Sequence, residues 1–127
     1  MYQVITQYTD NSFLLTVKLD HIVWKLDVYQ VMLGMSDKTI EQFADHTMCR
    51  LGKWYYEGEG STNFSKFNAF RSLETPHAAV HQNGLSALDA QQKGDLGDSL
   101  GYLTKMEDAS REVLRLLTDL EREVARA

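Results

Sequence analysis

His77 and His81 stand four residues apart in "LETPHAAVHQNGLSAL", a stretch otherwise rich in alanine, valine and leucine. On an α-helix, residues four apart differ by about 40° in azimuth and about 6 Å along the axis, so both rings can aim at one point. Such a pincer fills two corners of the tetrahedral nitrogen and sulfur shell that zinc prefers, with bonds of about 2.0 to 2.3 Å. Taken alone, a pair of this kind more often marks solvated or hydrogen-bonded rings, and two further ligands have to come from elsewhere. His21 and Cys49 are the candidates. His21 shares an apolar stripe with Leu14, Val17 and Trp24, so its ring points inward and must be satisfied there, by a metal or by a carbonyl or carboxylate. Cys49, the single cysteine, reads either as a small buried hydrophobe or as a thiolate favoured by its neighbours His46 and Arg50. One inward histidine, one cysteine and a histidine pincer together make the inventory of a closed zinc site.

The elements that must position these residues are helices. Leu14, Val17, His21, Trp24, Val28 and Val31 recur at steps of three and four, which predicts a first helix over about 12–33, capped from Thr9, Asp10 or Ser12 and stopped at Gly34. A second helix is expected after Ser36 or Asp37, with Ile40, Phe43, Thr47 and Leu51 on one face, and "LGKWYYEGEGSTN" reads as the loop that ends it. Phe64, Phe67, Phe70 and Leu73 predict a short amphipathic turn or helix. Thr75-Pro76 reads as the start of a third main helix carrying the pincer and fading by Lys93-Gly94. Asp95 caps a long last helix with Leu96, Leu100, Leu103, Met106, Val113, Leu117, Leu120 and Val124 at near-heptad spacing. The fold class is therefore all-α: an antiparallel four-helix bundle with a short extra helix or turn between the second and third main helices.

Composition narrows the function. The 127 residues, 43% hydrophobic with one proline and eight glycines, fit one domain spanning 1–127 with a real core. A net charge of −5, without any basic run, leaves nothing to attract nucleic acid. No apolar run reaches the roughly 20 residues that span a bilayer, and the first residues lack a secretory signal. With a single cysteine and no possible intrachain disulfide, the expectation is a cytoplasmic protein with no membrane insertion. "GEGSTN" lacks both the lysine ending and the preceding strand of a phosphate loop, and the chain has too few histidines for a hemerythrin-like di-iron bundle.

"LDHIVWKLDVY" around His21, "CRLGKWYY" from Cys49, "HAAVHQNG" from His77 and "MEDAS" in the last helix resemble, in order and spacing, the bacterial chemoreceptor zinc-binding (CZB) domain family. The resemblance implies a helical bundle, commonly a homodimer, with one Zn2+ per subunit held by three histidines and one cysteine. Position by position these are His21, Cys49, His77 and His81. His46 matches no ligand position and reads as a surface or supporting residue, while Trp24 and Trp54 are expected to pack beside the metal.

A shell of four protein ligands leaves no corner for water, which argues for sensing and against catalysis. The resemblance implies a regulatory domain that senses zinc, or oxidants such as hypochlorous acid, through a zinc-thiolate switch. Its output is a covalently linked or associated chemoreceptor or diguanylate cyclase. The chain itself carries neither a long signalling hairpin nor a Gly-Gly-Asp-Glu-Phe type signature, so it reads as the input module, whether part of a longer protein or acting alone. Two rival readings stay open: a metal-free helical interaction module, and a zinc hydrolase in which Cys49 leaves to admit water.

Overall fold

The computed structural model describes residues 2–127, with side chains from Ser12 onward. Among the described residues the structure is all-α, with helices α1 (Tyr2–Met32), α2 (Arg50–Tyr56), α3 (Asn68–Ser72), α4 (Glu74–Gln92) and α5 (Leu96–Arg126). A 3-10 turn at Ile40–Gln42 and a π-helical turn at Gly60–Phe64 complete the order. The expected all-α bundle is therefore present, with its second arm assembled from short pieces.

The long helices follow the sequence closely at three of their ends. Gly34 (φ 74°) and Gly94 (φ 80°) close α1 and α4 in the left-handed conformation that side chains disfavour. In each case the next residue's N–H reaches back five residues, Met35 to Gln30 at 2.8 Å and Asp95 to Ala90 at 2.9 Å. The Asp95 carboxylate then accepts from the Asp98 N–H at 3.0 Å and opens α5, so α4 and α5 form a tight helical hairpin. Two starts lie elsewhere than expected. Helix α1 begins at Tyr2, ahead of Thr9, Asp10 and Ser12, and Thr75 lies inside α4 and does not cap it.

The expected second helix over residues 37–51 does not form, and part of the expected loop is α2. The cause lies in Asp45. Its carboxylate accepts from the Thr47 N–H (2.8 Å), the Thr47 hydroxyl (2.6 Å) and the Met48 N–H (3.0 Å). This local turn captures donors that a helix would need. The chain restarts as a helix with Cys49 as its N-cap residue. Gly52 makes that restart possible, because a Cβ there would fall 2.0 Å from the His46 carbonyl oxygen.

The core runs through all five helices, with Leu14, Val17 and Val28 of α1 against Val80 and Leu88 of α4 and Met106, Val113 and Leu117 of α5. The apolar stripe of α5 is thus consumed within the chain from Leu103 onward. Helix α1 also meets α5 along a polar seam. Lys18 pairs with Glu121 at 2.8 Å, Lys25 with Glu107 at 2.7 Å, and the Tyr29 hydroxyl donates to Glu107 at 2.5 Å. No described helix is long and apolar enough to cross a membrane.

Two glycines should respond in opposite directions. Gly52→Ala overpacks against main chain that cannot retreat and should cost at least about 1–3 kcal/mol. Gly101→Ala, in α5 with nothing near its Cβ position, should stabilise by about 0.5–1 kcal/mol. Urea unfolding of both variants measures the contrast.

Candidate metal centre

The pincer forms as the spacing requires. His77 and His81 sit in the first two turns of α4, both buried, with ring centroids 4.9 Å apart and planes nearly perpendicular. Cys49 arrives from the other side, held at the start of α2 by the Asp45 turn and Gly52. Its Sγ lies 3.4 Å from His77 Nε2. Cys49, His77 and His81 form a cluster whose ligand atoms all lie within 4.8 Å of one another. A tetrahedral zinc site with bonds of about 2.0 to 2.3 Å has donor-to-donor edges of about 3.3–3.7 Å, so the sulfur-to-nitrogen distance already suits the ion.

His21 stands outside this threesome but lines the same cavity, of about 280 Å³, together with Trp24, Cys49, Leu51, His77 and His81. Its Nε2 lies 2.8 Å from the hydroxyl of Ser110 on α5. His46 is not a member of the cluster either. Its ring sits edge-on to His77 at 5.8 Å between centroids, and its carbonyl oxygen lies 3.7 Å from Cys49 Sγ.

One backbone atom orients much of this wall. The carbonyl oxygen of Ala44 accepts from His81 Nδ1 at 2.9 Å and from the Trp24 indole N–H at 3.2 Å. A carbonyl can only accept, so His81 carries its proton on Nδ1 and leaves the Nε2 lone pair free for a metal. Trp24 in turn lies against His81, with ring centroids 4.3 Å apart. It can come so close only because Gly84 has no side chain, as a Cβ there would meet the indole at 2.7 Å. Trp54, expected beside the metal, packs instead against Phe13, Phe64 and Phe70 at 5.2–5.5 Å in a separate aromatic cluster.

His21 is bonded to Ser110 and His81 to the Ala44 carbonyl, while the carboxylates close to the donors in sequence are engaged elsewhere. Asp20 pairs with Arg50 and Asp27 with Lys38, each at 3.2 Å, and Asp45 is spent on its own turn. The acceptor on His81 is main chain and leaves no mark in the sequence. Ser110 did leave one, since it sits among Met106, Val113 and Leu117 on the inward stripe of α5, where a hydroxyl needs a partner.

Burial sets the protonation states. It pushes His77 down to about 3, helped by the neighbouring His81, His21 and His46. It pushes His21 down to about 4, helped by Lys25 and His81, and holds His81 below its ordinary value against the Ala44 bond. The imidazoles are therefore neutral at pH 7, as metal ligation requires. Burial also pushes the Cys49 thiol up, outweighing the backbone N–H groups at the start of α2, and Asp20 adds to the effect. Arg50, expected to favour a thiolate, is engaged with Asp20.

These residues fit zinc: a thiol and two imidazoles already converge, and a third imidazole lines the same cavity. The family model of the chemoreceptor zinc-binding domain matches residues 21–88, more than half of the chain, beginning at His21 and including Cys49, His77 and His81. The span ends before α5, so "MEDAS" lies outside it. No curated protein and no solved structure gives a match.

Because the histidines are already neutral and the thiol is not ionised, zinc binding at pH 7 should release about one proton, and about none in Cys49→Ala. Calorimetry in buffers of different ionisation enthalpy counts it. In the presence of chelator the fold should lose stability as pH falls below about 6.5, where the unfolded histidines protonate. The loss should continue to the folded values near 3 and 4, at up to about 1.4 kcal/mol per pH unit for each of His21 and His77. Thermal melts across that range test the slope, which His77→Gln should reduce.

Proposed function

The chain belongs to the chemoreceptor zinc-binding domain family, and from that premise we propose that it is a regulatory module, not an enzyme, in which His21, Cys49, His77 and His81 hold one Zn2+ per subunit. The observation that carries this reading is the convergence of Cys49 with the histidine pincer. Four protein donors complete a tetrahedral shell and leave no corner for water, which favours a structural and sensing role over hydrolysis. When bound, the ion supplies the charge that keeps the Cys49 sulfur deprotonated against its burial. The trio that converges includes Cys49, whereas a hydrolase with a displaceable cysteine needs His21 in its place.

The signal is zinc, an oxidant such as hypochlorous acid, or both. Hypochlorous acid transfers its oxygen to the Cys49 thiolate, chloride leaves, and the resulting sulfenic acid is a poorer donor. No second cysteine exists in the 127 residues to close an intrachain disulfide, so loss of a donor is the switch. Cys49 belongs to the start of α2 and the pincer to α4, so losing the donor unties two segments and biases the bundle between packings. The output module is a linked or associated chemoreceptor or diguanylate cyclase in the cytoplasm.

The subunit contact of the homodimer falls on the outer face of α1. Leu15, Leu19, Ile22 and Leu26 repeat at steps of four, three and four, and the three leucines are 54–56% exposed. An uncharged stripe with heptad spacing suits the same stripe of a two-fold-related copy.

Zinc content measured before and after graded hypochlorous acid should start at about one ion per chain and fall on oxidation. Cys49→Ala should bind zinc more weakly and lose the oxidant response, while His46→Ala should keep both. Absence of zinc from the purified protein, with stability unchanged by chelator, would establish the metal-free interaction module instead. Sedimentation of Leu19→Glu/Leu26→Glu should show monomers where the parent is a dimer, and an unchanged dimer would place the contact elsewhere.

A further inference from the structure

The candidate donors come from α1, from the residue that opens α2 and from α4, and none comes from α5. Helix α5 is hydrogen-bonded to them through the Ser110 hydroxyl, 1% exposed and 2.8 Å from His21 Nε2. We propose that Ser110 is a positioning residue: it holds His21 by Nε2, so that His21 presents Nδ1 to the metal, whereas His81, held by Nδ1, presents Nε2. The proposal rests on the zinc reading above and names the ligating atoms and the helix that feels them.

The chemistry follows from the two nitrogens of the ring. A ligating nitrogen needs its lone pair, and the proton then resides on the other nitrogen, where an acceptor must receive it. For His81 that acceptor is the Ala44 carbonyl. For His21 the Ser110 hydroxyl, which can donate or accept, lies at the opposite nitrogen and takes the accepting role when Nδ1 gives its lone pair to the metal. The register between the two residues is locked on both sides, since Lys18–Glu121 lies about one turn before His21 and Lys25–Glu107 about one turn after it. Ser110 therefore cannot be exchanged for another α5 side chain by sliding the helices. Through this bond the position of the His21 ring is transmitted to α5, a 31-residue helix that donates no ligand of its own.

The test uses the full chain and zinc alone. Imidazole 15N spectra, with His21 identified by comparison with His21→Gln, should show Nδ1 of His21 metal-bound and Nε2 protonated. The same spectra should show His81 with the opposite pattern. Ser110→Ala should weaken zinc binding by about ten- to a hundredfold, as loss of a ligand's supporting partner does. A metal-bound Nε2 on His21, or unchanged affinity in Ser110→Ala, would overturn the proposal while leaving the zinc site standing. If Ser110→Ala fails to fold, the parent spectra decide alone. A parent protein that binds no zinc would instead overturn the reading on which the proposal rests.

Discussion

The carbonyl oxygen of Ala44 is the point on which the rest of the site depends. Both of its lone pairs are taken by side chains, one from α4 and one from α1, at 2.9 and 3.2 Å. Three segments far apart in sequence thus meet on one main-chain atom. The arrangement fixes the tautomer of His81, seats Trp24 over Gly84, and holds the connection that delivers Cys49. The carbonyl is available to both because the Asp45 turn takes the Met48 N–H that it would accept from in a helix.

How much of this was legible in the sequence depended on where the determining partner sits. The pincer, the two glycine stops and the Asp95 cap are local, and their residues announce them within a turn or two. The inward course of His21 was equally readable from its stripe. The second arm was misread because Ile40, Phe43, Thr47 and Leu51 share a helical period, while the Asp45 side chain outcompetes that period for the same N–H groups. Trp54 was misplaced because proximity to Cys49 in sequence says nothing about the aromatic cluster formed with residues as distant as Phe13. The carboxylates near the ligands were plausible partners on chemistry alone, and their basic neighbours engage them instead.

The interior holds an unusual load for a small bundle. Three imidazoles and a thiol share one cavity wall, and each imidazole stays uncharged because burial makes its cation too costly. Isolated, such groups would weaken a core. Here His21 and His81 each have a hydrogen-bond partner, His77 has Cys49 beside it, and among the described residues no buried side-chain nitrogen or oxygen lacks a partner. The charged pairs of α1 with α5 lie outside this wall, at the rim where water still reaches them.

The short distance between Cys49 and His77 spans 28 residues of chain. In the unfolded ensemble those two side chains wander independently, so any bond that joins them there removes loop-closure freedom from the competing state. For a covalent link across such a loop the chain-entropy effect is about 3–4 kcal/mol, and a coordinating ion spanning the same gap acts in the same sense. The π-helical turn, α3 and three members of the aromatic cluster, Trp54, Phe64 and Phe70, lie inside that loop. A chemical change at one sulfur atom would thus alter not only local geometry but the conformational freedom of a whole intervening segment.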